Sequence, residues 1–132
     1  VSIPVQNLMV PVSVGELVDK VTILRIKSKS ISDSKKLDNI RRELEALTAV
    51  CVKNGIDLGH DLVSQLHEVN QKLWVIEDDI RDQERHQTFG QEFISLARQV
   101  YIVNDERFRL KSELNKHFGS QFHEEKSYQP YR

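Results

Sequence analysis

Apolar residues recur along this chain at spacings of three and four, in four long blocks divided by short polar, glycine- or proline-containing breaks. That is the period of an α-helix with one buried stripe. The first block follows Ser13, whose spacing from Glu16 fits a capping box, in which hydroxyl and carboxylate satisfy free amide donors at a helix start. A helix is predicted from there to about Ser30. Leu17, Val21, Leu24 and Ile31 form one stripe of it, Ile23 and Ile26 lie nearly opposite, and only Glu16, Lys20 and Lys27 make a clear polar strip. A helix apolar on two sides needs cover on two sides, so this one is central in the fold or buried at a subunit interface.

Ser32-Asp33-Ser34 can cap a second helix carrying Leu37, Ile40, Leu44, Leu47 and Cys51, with Asn54-Gly55 as its stop. After a loop around Gly59, the third block repeats the pattern with Leu62, Leu66, Val69, Leu73, Ile76 and Ile80. Such sustained periodicity favours long, nearly antiparallel helices packed as in a coiled coil. Thr88-Phe89-Gly90-Gln91 reads as a capping box for helix four, which ends before Gly119. Residues 1–12, with Pro4 and Pro11, read as an extended arm or one short strand. The tail, residues 120–132, either straps across the bundle through Phe122, Tyr128 and Tyr131 or stays mobile. The expected fold is all-α and one domain over residues 1–132: an antiparallel bundle of about four helices in two hairpins, completed by homodimerisation.

Helix four departs from the simple pattern. Asn104, Arg107 and Lys111 run down a sector shared with Phe93, Val100 and Phe118, between Ile94, Tyr101 and Phe108 on one flank and Leu96, Val103, Leu110 and Leu114 on the other. Buried charge without a partner is very costly. Folding helices three and four as a hairpin about residue 88 sets Asn70, Trp74, Glu77 and Arg81 beside this row, with Asn70 level with Asn104 and Arg107. Two readings follow. The favoured one is a polar layer whose members satisfy one another and set helix register. The other is a pocket for a small carboxylate or phosphate, with Arg107 binding it bidentately, Lys111 adding a point charge and Trp74 forming a wall. Chemistry there would be electrostatic rather than nucleophilic, and no catalytic residue is identified.

Composition narrows the alternatives. A net charge of −1 argues against a nucleic-acid binder driven by bulk electrostatics. Residues 1–56 carry nine Lys/Arg against six Asp/Glu, net +3, and residues 57–86 carry eight acids against three bases, net −5, so these segments are expected to pair. The single cysteine, Cys51, sits at an apolar position and reads as a buried thiol. Glu16 with Asp19, and Glu77-Asp78-Asp79, read as solvated surface acids rather than magnesium ligands. His60, His67, His86, His117 and His123 include no pair at metal-ligand spacing within one helix. Neither a phosphate-binding glycine loop nor a hydrolase nucleophile motif is present, and no cofactor is implied. No stretch approaches the ~20 apolar residues of a membrane span, and Val1 to Val12 lacks a secretory pattern. A cytoplasmic protein, without membrane or nucleic-acid partners, is expected.

Several segments together resemble a small, functionally uncharacterised bacterial family, a domain of unknown function. They are Pro11-Val12-Ser13-Val14-Gly15-Glu16-Leu17-Val18-Asp19-Lys20, Thr22-Ile23-Leu24 and Ile26-Lys27; Val69-Asn70, Leu73-Trp74 and Ile76-Glu77-Asp78; Leu96-Ala97-Arg98, Val100-Tyr101 and Asn104-Asp105; and Glu124-Glu125-Lys126-Ser127-Tyr128. The resemblance implies a compact helical protein and supplies no activity, cofactor or catalytic residue. It draws attention to the Glu-Glu-Lys-Ser-Tyr tail as a cover over the site between helices three and four. The function expected is that of a binding or assembly module. The alternative is a small-metabolite enzyme or sensor that takes an anionic ligand at Asn70, Trp74, Glu77, Asn104, Arg107 and Lys111.

Overall fold

A computed structural model of the chain describes residues 8–131, and the described residues are all-helical: α1 (Val14–Ser30), α2 (Ser34–Lys53), α3 (Asp61–Arg85) and α4 (Gln91–His117). The start signals act locally. Ser13 Oγ accepts the Glu16 amide, although the Glu16 carboxylate turns elsewhere and leaves the capping box half made. Asp33 Oδ1 accepts the amides of Lys35 and Lys36. α3 is capped by an unanticipated residue, His60, whose Nδ1 accepts the Leu62 amide. The expected box at Thr88 does not form. Gly90 is the N-cap of α4 without a side-chain bond, and the Thr88 hydroxyl bonds back to Gln83 at the end of α3. Gly55 and Gly119 take the positive φ angles, 71° and 64°, that end α2 and α4. Residues 8–13 form neither helix nor strand, and the earlier part of the proposed arm lies outside the described residues.

α1 is the middle layer. It packs against α2 on one side and against both α3 and α4 on the other, and α3 and α4 make the most extensive helix pair. Both of its apolar faces are therefore largely covered within the chain, with Ile23 left half-buried. Leu17, Val18 and Val21 join Cys51 of α2, Ile56 of the following loop, Val63, Leu66, Val69 and Leu73 of α3, and Leu110 and Leu114 of α4 in one core. Ile26 is also buried.

The approach of α1 to α4 is set by Gly15. Its amide donates to Asn115 Oδ1 at 2.6 Å, and a Cβ on this residue would lie 2.4 Å from the Lys111 carbonyl oxygen. Only a residue without a side chain allows that backbone contact. The Val14 amide donates to Ser120 Oγ, which ties the start of α1 to the start of the tail.

The charge asymmetry along the chain is not used as expected. Among the described residues no ion pair joins residues 1–56 to residues 57–86. Lys20 pairs with Glu43 across the α1/α2 hairpin, and the acids of α1 pair with α4.

Candidate functional site

The polar row of α4 does face inward, but its main partners come from α1. Asp19 is buried, and its two carboxylate oxygens take the Arg107 guanidinium bidentately, from Nε at 2.9 Å and from Nη2 at 2.5 Å. Asn70 Nδ2 donates to the same carboxylate at 2.9 Å and to Thr22 Oγ1 at 2.9 Å. The Thr22 hydroxyl in turn donates to the Asp19 carbonyl at 2.7 Å. Three helices thus meet on one carboxylate. Arg107 Nη1 reaches Asn104 Oδ1 at 3.5 Å, the long edge of the set. The guanidinium loses hydration on burial, yet its bonds to Asp19 outweigh that loss and raise its pKa above the usual arginine value.

One turn further along α4, the Lys111 ammonium is buried between two acids, Glu16 Oε2 at 2.8 Å and Glu124 Oε1 at 3.0 Å. Burial alone would lower the lysine pKa. The bonds to Glu16 and Glu124 reverse this and hold it above the ordinary value. Glu124 belongs to the tail, which runs back along the outer face of α4. Lys126 lies over the rings of Phe108 and Tyr128, and Tyr131 packs its ring on Tyr101 and donates to Asp105. The tail therefore covers the Lys111 side of the row, not the cleft between α3 and α4.

Of the six candidate residues, Asn70, Asn104 and Arg107 join one network. Lys111 forms a second cluster beside it, across a small polar cleft of about 150 Å³ lined by both groups. Glu77 does not reach α4's cations and pairs with Arg81 on its own helix at 3.0 Å. Trp74 is half-buried on the wall of an open groove of about 410 Å³, with Ile23 and Leu73 as apolar neighbours and Glu77, Asp78, Arg81, Asn104 and Arg107 as polar ones.

Asp19 is the acid that the spacing misassigned to solvent, being buried, whereas Glu16 is exposed as expected yet also pairs with Lys111. A signal for Asp19 was present. Thr22, Ile23 and Ile26 follow it at spacings of three, four and seven, so it lies on the second apolar face of α1 and off the polar strip.

Among the described residues, no cluster of three or more His, Cys, Asp or Glu side chains could hold a metal ion, and no helix is long and apolar enough to cross a membrane. Cys51 is buried and its thiol is pushed up in pKa by desolvation, with Arg25 opposing. The arrangement neutralises charge, joins three helices and leaves a groove beside the ordered layer. No curated protein and no solved structure matches the chain. The model of the Family of unknown function (DUF6165) matches residues 8–131, nearly the whole length, and the chain belongs to that family.

Proposed function

We propose that this protein is a binding or assembly module whose docking surface is the Trp74 groove and whose occupant is a second copy of the chain. One contrast carries the reading: the cations of the α4 row are already neutralised inside the chain, while the groove beside them stays open. Arg107 spends its fork on Asp19, and Lys111 is held by Glu16 and Glu124, so neither has a free face of charge for a small anion. That weighs against the alternative of an enzyme or sensor gripping a carboxylate or phosphate between α3 and α4. The groove offers both signs of charge, Glu77 and Asp78 against Arg81, around an apolar wall of Trp74, Leu73 and Ile23. A two-fold interface must be complementary to itself, and a patch of mixed charge around an apolar centre meets that condition.

Trp74 is the single tryptophan, so its emission reports on this groove alone. Sedimentation equilibrium and tryptophan emission are to be followed together across the micromolar range. A dimer is expected, with emission shifting to the blue as concentration rises, and Trp74→Ala should sediment as a monomer with its fold retained. A monomer at every concentration, or a dimer undisturbed by Trp74→Ala, would overturn the proposal.

A further inference from the structure

On the other side of α1, away from the Trp74 groove, a second cavity of about 580 Å³ opens between the last turns of α1 and the first half of α3. Arg25 and Lys29, four residues apart and so on one flank of α1, line it together with Ser64 and His67, three residues apart on α3. Leu58 and Val63 add apolar surface.

The two basic residues differ from those of the α4 row in one respect. Among the described residues neither Arg25 nor Lys29 has an ion pair or a side-chain hydrogen bond, although both line one cavity. Arg25 is half-buried, so its guanidinium is partly stripped of water without gaining a carboxylate. Glu68 is the one acid on the cavity wall, which leaves a charge of +1 with His67 neutral and +2 with it protonated.

We infer that this cavity is an anion site for a phosphate monoester on a small molecule, with Arg25 and Lys29 as its charged ligands and Ser64 and His67 as further donors. A guanidinium matches two phosphate oxygens at once, and an ammonium adds a point charge without demanding geometry. The Ser64 hydroxyl makes no bond to another side chain or backbone group among the described residues and is free to donate. Ser28 is less available as a donor, since its hydroxyl donates to the Arg25 carbonyl at 2.7 Å. The apolar part of the wall suits the short organic group that carries the phosphate. His67 already senses both cations: desolvation lowers its pKa first, Lys29 and Arg25 lower it further, and Glu68 opposes them. A bound dianion would reverse the effect of the two cations, so ligand binding and the His67 proton are linked.

The linkage makes the site testable on the intact chain. His67 ring resonances are to be titrated by NMR against pH in potassium chloride, in inorganic phosphate and in phenyl phosphate, all at one ionic strength. The His67 pKa should rise in both phosphates relative to chloride, more in phenyl phosphate. Lys29 is exposed, so Lys29→Gln should fold normally and weaken the apparent phosphate affinity by about tenfold, the scale of one charge-assisted bond. Arg25→Gln should do the same, with circular dichroism confirming its fold. An equal His67 pKa in chloride and phosphate, or a phosphate response that survives Lys29→Gln unchanged, would overturn the assignment.

Discussion

The Asp19–Arg107 pair sets up a test in which the two halves of one interaction should give different costs. Asp19's side chain is 2% exposed, whereas Arg107's is 29% exposed. Breaking a buried pair costs roughly 3–5 kcal/mol, because the survivor is left as an uncompensated charge. Removing the arginine, as in Arg107→Met, strands a carboxylate that cannot reach water and keeps only Asn70 as a neutral donor to its side chain. That variant belongs at the upper end, about 4 kcal/mol. Asp19→Asn leaves an amide that still bonds Asn70 and a guanidinium that can turn its exposed edge to solvent. Its cost should be smaller, about 2–3 kcal/mol. For a chain of this size about 1 kcal/mol moves the melting temperature by roughly 3–4 °C, so the expected falls are about 15 °C and about 8 °C. Urea unfolding of both single variants and the double variant completes the cycle. The double variant should lose less than the sum, since it buries no lone charge. A loss below about 1 kcal/mol in either single variant, or strict additivity, would refute the view that this carboxylate organises three helices.

Three further outcomes follow from the same packing. Gly15→Ala places a methyl group 2.4 Å from the Lys111 carbonyl oxygen and should destabilise by roughly 1–3 kcal/mol in chemical denaturation; a neutral result would show that α1 can move off α4. Glu124→Gln removes one of two acids on Lys111 and should cost only about 0.5–1 kcal/mol, the acid being one-third exposed. Its clearer sign should be faster proteolysis within residues 120–131, and an unchanged cleavage rate would detach the tail from this contact. The third outcome concerns alkaline pH. Lys111 has a folded pKa above its unfolded value, so its contribution is complete below the ordinary lysine value of 10.5 and is lost as pH rises through the folded value. Stability should therefore fall on the alkaline side of 10.5, and Lys111→Met should flatten that limb while lowering stability at neutral pH.

Most of the helical plan could be read from local chemistry. The caps at Ser13 and Asp33, the left-handed stops at Gly55 and Gly119, and the stripes of the four helices depend on neighbours a few residues away. The inward turn of Asn104, Arg107 and Lys111 was legible too, because the flanking apolar residues of α4 fix which way that face points. The resemblance assembled from the quoted segments agrees with the family match. Glu77 shows where such reading stops. It was placed beside the α4 row, but it pairs with Arg81, four residues away on the same helix, and with no cation across the groove.

What pattern could not supply was the identity of the partner for each charge. Periodicity gives the direction of a side chain about its own axis and says nothing of how two axes cross. The backbone contact at Gly15 brings α1 against α4, so that Glu16 and Asp19 meet Lys111 and Arg107 over sequence separations far beyond any helical repeat. The same placement of α1 leaves Arg25 and Lys29 beside α3 with Glu68 on the shared cavity wall but no carboxylate paired to either. Four helices, most of their ends and most of their buried faces are legible along the chain, since these are settled by steric and hydrogen-bonding choices within a turn or two; the starts of α3 and α4 are the exceptions. Which carboxylates close the polar row, and which cations are left without one, depends instead on the angle and closeness with which α1 crosses the hairpin.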